Sequence, residues 1–124
     1  MERLVQVAWG MLALVHATPA IALVLPAMLR RLYGLEPGGD LRVLLVHRSA
    51  LFLALVVLCV FAVFDPPSRR AAGVAVAISV VGYLAVYAQA GFPMGALRRV
   101  AVVDAFALVP LVTVLVAAWR ARST

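Results

Sequence analysis

Four long apolar stretches, separated by short polar segments, occupy almost the whole of this 124-residue chain. The stretches cover residues 4–29, 41–64, 71–92 and 100–119. Each is long enough to cross a bilayer, because the hydrocarbon core requires about 20 apolar residues of helix. The pattern predicts an all-α polytopic membrane protein, a four-transmembrane-helix bundle with short loops and with both termini on the same side.

The boundaries of the apolar stretches predict one transmembrane domain over residues 1–124, with helices at about 3–29, 41–64, 71–90 and 99–119. Pro19 and Pro26 interrupt the first helix, and each removes a backbone donor. Such interruptions are tolerated in membranes when neighbouring groups satisfy the backbone. Asp40, after Gly38 and Gly39, is the expected N-cap of the second helix. The first stretch is too long for a signal peptide, so we expect an uncleaved transmembrane helix.

The composition supports a membrane location and argues against nucleic-acid binding. Hydrophobic residues make up 66% of the chain and charged residues 13%, whereas soluble domains contain about 45–50% and 25%. The net charge of +6 comes from arginine alone. The arginines lie mainly at predicted helix ends, where they meet lipid headgroups. We therefore expect the lipid bilayer as a partner and no nucleic acid.

The arginine distribution does not decide the orientation in the membrane. With alternating helices, one face carries Arg3, Arg69, Arg70, Arg120 and Arg122. The opposite face carries Arg30, Arg31, Arg42, Arg98 and Arg99. Since positive charge normally sets orientation, this balance has two interpretations: loop charges alone do not decide the topology, or the protein inserts in both orientations and pairs antiparallel as a homo-oligomer.

Polar side chains within the predicted helices converge near one mouth of the bundle. His47 and Arg48 lie about two turns into the second helix, and Asp104 about one turn into the fourth. The alternation of helices brings these positions to the same membrane face. The last turns of the third helix and the first loop contribute further polar side chains there, namely Tyr83, Tyr87, Gln89 and Tyr33.

Arg48 and Asp104 form the obvious intramembrane pair, because an ionised residue at the bilayer centre costs about 2.5–3.5 kcal/mol on insertion scales. The pair has a structural interpretation, in which it clips two helices together. It also has a functional one, in which Arg48 binds an anionic or carbonyl group and His47 or Asp104 transfers a proton. In a third interpretation, Arg48 reaches the interface without a partner.

His16 lies near the middle of the first predicted helix, three residues before Pro19. It is either a buried imidazole bonded to a backbone carbonyl freed by the proline, or a proton-relay residue in the same cavity. We expect it roughly 10 Å deeper than His47 by the helix rise, so the two histidines do not share a haem iron. The few possible ligands have no zinc-site spacing. We therefore predict no metal and no cofactor.

Parts of the sequence resemble a family of small four-helix inner-membrane proteins of proteobacteria. The resemblance rests on residues 33–35, 40–52 and 97–104, with Tyr33, Gly34, His47, Arg48 and Asp104 as its distinctive positions. The family is functionally uncharacterised, although some members carry an adenylyltransferase name that this chain's residues do not support. The resemblance implies a multi-pass protein of the bacterial inner membrane and a cluster of His47, Arg48 and Asp104, and it implies no reaction.

Three functions are compatible with these observations. The first is an intramembrane polar pocket that binds a small hydrophobic or amphiphilic, lipid-like molecule, with or without converting it by proton transfer. The second is a small proton-coupled transporter that works as a homo-oligomer, with Asp104 and His16 as coupling groups. The third is an accessory subunit of a larger complex, contacted through the stripe of small and polar residues at Ala75, Ser79, Gly82, Val86 and Gln89.

Overall fold

The computed structural model of the protein describes residues 1–121 and is all-helical over that range. Arg122, which entered the arginine balance above, lies outside the described residues. The helices are α1 (Glu2–Ala20), α2 (Met28–Tyr33), α3 (Gly39–Phe64), α4 (Arg69–Gln89) and α5 (Ala96–Arg120). All but α2 belong to segments long and apolar enough to cross a membrane. The predicted four-helix membrane bundle is therefore confirmed.

The core of the bundle forms where α1 packs against α3 and α5, and where α4 packs against α5. Trp9 and Leu12 from α1 are fully buried there, together with Val76 and Val80 from α4 and Val114 from α5. Many large apolar side chains point outward on every long helix. A bundle that is apolar both inside and outside is typical of a protein whose outer surface contacts lipid.

The predicted C-terminal end of the first helix is wrong, because the helix expected over residues 3–29 is not continuous. Helix α1 ends at Ala20, a 3-10 turn follows over Ile21–Leu23, and the chain resumes helical structure only in α2. Proline disfavours helical geometry at the residue before it and lacks an N–H, which explains the break before Pro26. Pro19, in contrast, remains inside α1.

The other boundaries lie within three residues of those expected. Helix α3 begins at Gly39, so Asp40 lies in its first turn and is not the N-cap. The extended backbone of Gly38 takes that position, and the Asp40 carboxylate remains near the N-terminus of α3, where negative charge is favourable. Helix α5 begins at Ala96, three residues earlier than predicted.

The end of the bundle opposite the α3 N-terminus is held together by two arginines. Arg69 is buried, donates a hydrogen bond to the Ala62 carbonyl at 2.8 Å, and forms an ion pair with Glu2. Arg70 donates to the Ala118 carbonyl at 3.0 Å, and its guanidinium lies 5.6 Å from the ring centroid of Trp119. We expected both arginines to meet lipid headgroups, but they connect helices instead.

Gly73 marks the closest approach between α4 and its neighbours. A Cβ atom at this position would lie 2.9 Å from Leu115 Cδ2 and 3.8 Å from Trp9 Cη2. We expect Gly73→Leu to lower the free energy of unfolding by about 1–3 kcal/mol through overpacking. Thermal unfolding in detergent measures this loss, with Gly10→Leu as the control because Gly10 faces open space. Equal midpoints for the two variants would contradict the close packing.

Candidate intramembrane binding site

A cavity of about 270 Å³ lies between the helices near the α3 N-terminal end of the bundle. Its wall is mostly apolar, but polar groups from every long helix reach it. These groups are His16 from α1, Tyr33 from α2, Arg48 from α3, Ser79 and Tyr83 from α4, and Asp104 from α5. An apolar cavity with a few convergent polar groups is the usual form of a small-molecule site.

The break after α1 helps to form this cavity. Because α1 ends at Ala20, its last turn contributes His16 and Pro19 to the cavity wall. Helix α2 then brings Tyr33, its final residue, to the same cavity. Gly34 ends α2 in a left-handed conformation with φ of 68°, which glycine adopts without steric cost.

Arg48 is held by aromatic rings and not by Asp104. Its guanidinium carbon lies 5.8 Å from the ring centroid of Tyr33, 5.3 Å from that of Phe52 and 5.9 Å from that of Tyr83. Within residues 1–121, Arg48 and Asp104 form no ion pair within 4.0 Å, and neither side chain makes a hydrogen bond. The salt bridge that the structural interpretation of this pair requires is therefore not formed among the described residues, although both side chains line one cavity.

His16 is buried, and its ring is fixed by a hydrogen bond of 2.8 Å between Nδ1 and the Leu12 carbonyl. Since a carbonyl oxygen only accepts, Nδ1 must carry the proton, and Nε2 of the neutral imidazole remains an acceptor. The carbonyl freed by Pro19 belongs to Val15, so the bond does not use the freed group. His16 lies only four residues, about 6 Å, from the end of α1, which explains how it reaches the cavity of Arg48.

Three predicted site residues lie outside the cavity. His47 is exposed on α3 and is absent from the cavity wall, although Arg48 beside it lines that wall. Gln89 is exposed at the end of α4, and Tyr87 donates a hydrogen bond of 2.8 Å to the Pro93 carbonyl in the following loop. The structure thus brings together His16, Tyr33, Arg48, Tyr83 and Asp104, and leaves those three apart.

The hydroxyl groups of the two cavity tyrosines differ in their partners. Tyr83 donates to the Leu97 carbonyl at 2.8 Å and so connects α4 with α5. Tyr33, beyond the membrane-spanning helices, makes no hydrogen bond through its hydroxyl within residues 1–121. Burial raises the pKa of Tyr33, although the nearby Arg48 opposes the rise. Its hydroxyl therefore stays protonated and is a donor at neutral pH.

The cavity wall also contains four polar residues that the sequence did not single out for it, namely Thr18, Arg31, Ser79 and Arg99. Ser79 was assigned to the stripe of small residues, although it lies one helical turn from Tyr83 and so shares its face. Arg31 and Arg99 were assigned to lipid headgroups, but both also reach the cavity. Arg99 donates a hydrogen bond of 3.4 Å to the Arg31 carbonyl, so the two arginines lie together at the mouth.

A groove between α3 and α4 continues from this cavity along the outside of the bundle. Its volume is about 550 Å³, and it shares Arg48, Phe52, Ser79 and Tyr83 with the cavity. The small residues Ala75 and Gly82 line it, and no atom lies within 4 Å of a Cβ built at Gly82. The stripe expected to admit another helix therefore faces an open groove within this chain.

The cavity wall carries hydrogen-bond donors and acceptors together with the titratable side chains of His16 and Asp104. Within residues 1–121, no group of three His, Cys, Asp or Glu side chains could hold a metal ion. Comparisons with protein-family models, with curated proteins and with solved structures find no match to this chain. The assignment of a function therefore rests on the residues and geometry described above.

Proposed function

We propose that this protein binds a small hydrophobic or amphiphilic molecule in the intramembrane cavity around Arg48, with proton-transfer chemistry on that molecule as an extension of binding. The proposal includes membership of the proteobacterial inner-membrane family that the sequence resembles. Its basis is a multi-pass bundle of four apolar helices that encloses polar groups from each of those helices.

The observation that carries the proposal is the set of contacts that the Arg48 guanidinium makes. Three aromatic rings surround its guanidinium by cation–π contact, yet its N–H groups have no hydrogen-bond partner within residues 1–121. A charged group inside a membrane bundle normally has a polar partner, because its desolvation is costly. A ligand with an acceptor group would satisfy these donors and would bind where the rings hold the guanidinium in place.

Two further groups support proton transfer on a bound molecule. The Nε2 atom of neutral His16 is an acceptor, because Nδ1 donates to Leu12. Asp104 lines the same cavity and makes no hydrogen bond within the described residues. A molecule polarised by Arg48 would therefore lie beside two groups that exchange protons, as an isomerisation requires. His47, exposed on α3, has no role in this proposal.

Native mass spectrometry of the gently extracted protein tests the proposal. We expect a discrete bound molecule in the wild type that is lost in Arg48→Ala and retained in His47→Ala. The two variants change adjacent residues, one in the cavity wall and one outside it, so they form a matched pair. Circular dichroism and elution volume establish that both variants fold. Loss in both variants, or a folded wild type that carries nothing, would overturn the proposal.

A proton-coupled, dual-topology transporter is the second candidate, favoured by the presence of His16 and Asp104 in one cavity and by the balanced arginine counts. Both groups would then be the coupling residues. Reporter fusions to the C-terminus decide the topology part of this candidate. Signal from both sides of the membrane supports it, whereas signal from one side alone rejects dual insertion.

A further inference from the structure

We infer that the ligand is a single-chain amphiphile with a carboxylate headgroup, bound with its head at Arg48 and its hydrocarbon chain in the groove between α3 and α4. This inference rests on the proposed function, since it names the class of molecule for the same cavity. It adds a second binding surface, the groove, and a definite direction of the molecule in the membrane.

The charges around the cavity favour an anionic headgroup. Arg48 lines the cavity between the aromatic rings, and Arg31 and Arg99 line it at the exposed mouth. Asp104 is the one acidic residue among the lining side chains. Three positive charges against one negative charge attract an anion. A carboxylate carries a single charge and matches the planar guanidinium with two parallel hydrogen bonds.

The groove provides an apolar path for the chain of such a molecule. It joins the cavity at Phe52 and Tyr83 and is lined beyond them by aliphatic and small side chains. Its outer edge is open to the membrane, since Ile78 is 69% exposed and Val86 is 63% exposed. Within a bilayer this surface contacts acyl chains, so a hydrocarbon tail enters from the side without crossing a polar barrier.

The direction of the groove matches that of a lipid in the same leaflet. Arg48 lies nine residues after the start of α3, or about 14 Å along its axis, and Leu55 lies about 10 Å further on. The groove therefore leads from Arg48 along Leu51 and Leu55 towards the middle of the bilayer, and in the opposite direction it reaches Val86 near the mouth. A single-chain amphiphile has its headgroup nearer the surface and its chain end nearer the centre, so it binds without turning over.

Gly82 makes the groove testable without disturbing the packed core. A Cβ at Gly82 meets no atom within 4 Å, and the residue lines the groove. Gly82→Leu would therefore narrow the groove beside Tyr83, where the chain leaves the headgroup at Arg48, while leaving the helix contacts intact. Gly10→Leu is the matched control, because a Cβ at Gly10 also meets no atom within 4 Å and the residue is exposed on α1.

The experiment titrates laurate into full-length protein in neutral detergent and counts bound molecules by native mass spectrometry. We expect one laurate per chain and binding roughly tenfold weaker or worse for Arg48→Gln, because a charge-assisted pair is lost. Gly82→Leu should weaken laurate binding by a similar factor, whereas Gly10→Leu should match the wild type. Dodecanol, which has the same chain without the charge, should not displace laurate at equal concentration.

The outcomes separate this inference from the proposed function. If Gly82→Leu binds laurate as the wild type does, the chain does not occupy the groove and the inference is overturned. If dodecanol competes equally, the carboxylate is not recognised and the inference is also overturned. A molecule that co-purifies with the wild type, is lost in Arg48→Ala and is not displaced by laurate would leave the proposed function standing and reject the carboxylate class.

Discussion

Arg69→Met is expected to lower the free energy of unfolding by about 3 kcal/mol, because each hydrogen bond to a charged group contributes about 1.5–3 kcal/mol. The side chain of Arg69 is 10% exposed and donates to the carbonyls of Ala62 and Val63 at 2.8 and 3.3 Å. Both carbonyls belong to the last turn of α3, where no intrahelical donor remains. Methionine would fill a similar volume but would leave the Ala62 oxygen without this donor, and the Val63 oxygen with only the 3.5 Å hydrogen bond from Gln6 Nε2.

The ion pair between Arg69 and Glu2 contributes less to stability than the hydrogen bonds of Arg69 to α3. The Glu2 side chain is 58% exposed, so solvent screens the ion pair and Glu2→Gln should cost much less stability than Arg69→Met. The measurement is equilibrium unfolding in mixed micelles, with Arg3→Met as the control because Arg3 is exposed in the same turn of α1 as Glu2. If Arg69→Met were as stable as Arg3→Met, the bonds to α3 would contribute nothing to the fold.

Trp9→Ala should destabilise the bundle by about 3–5 kcal/mol, the range found when large core aromatics are truncated. Trp9 has no exposed surface and lies in the core, where its ring approaches Gly73 of α4. Its indole Nε1 is buried and has no hydrogen-bond partner among residues 1–121. Trp9→Phe should therefore cost clearly less than Trp9→Ala, because it retains an aromatic ring and removes an unsatisfied donor.

The same unfolding assay compares these variants with Trp119→Ala. Trp119 is 50% exposed near the end of α5, so its truncation should change stability far less than Trp9→Ala. An equal loss for Trp9→Phe and Trp9→Ala would contradict this account, since it would mean that the indole N–H is needed by the fold.

The four spans could be predicted because an uninterrupted apolar stretch has few alternatives in water or lipid. The position of the break before α2 could not be predicted, because Pro19 and Pro26 look equivalent in the sequence. Pro19 stays within α1, one residue before its end, whereas Pro26 lies in the turn that precedes α2. Which proline interrupts a helix depends on the neighbouring groups that accept the displaced backbone, and these are set by tertiary packing.

The topology predicted the end of the bundle at which the candidate site lies, but it did not predict which side chains line the site. Helix alternation placed Arg48 and Asp104 at one end of the bundle, and both line the cavity. The sequence did not distinguish His47 from Arg48, although only Arg48 faces inward. Neighbouring helical residues point about 100° apart, and a polar stripe normally shows which one is buried. Because α3 is apolar nearly all round, its rotation about its own axis could not be deduced.

The contacts of Arg69 with Glu2 and with the end of α3 could not be predicted from the sequence for a related reason. A basic residue at the end of an apolar stretch usually meets headgroups, and nothing in the sequence distinguishes Arg69 from Arg3. Only the three-dimensional arrangement shows that Arg69 reaches both Glu2 and the carbonyls at the end of α3 that have no intrahelical donor. Polar partners from residues far apart in the chain cannot be paired by spacing alone.

The length of α3 sets the fit between the protein and its bilayer. Its 26 residues span about 39 Å, which exceeds a hydrocarbon thickness of about 30 Å by two turns of helix. If α3 is perpendicular to the membrane plane, the extra length of the helix extends out of the hydrocarbon most readily at the N-terminal end, where Asp40 and Arg42 are polar. His47 then lies close to the boundary of the acyl chains, where water and headgroups solvate an exposed imidazole. The hydrophobic mismatch thus makes His47 a residue of the membrane surface, while Arg48 beside it belongs to the protein interior.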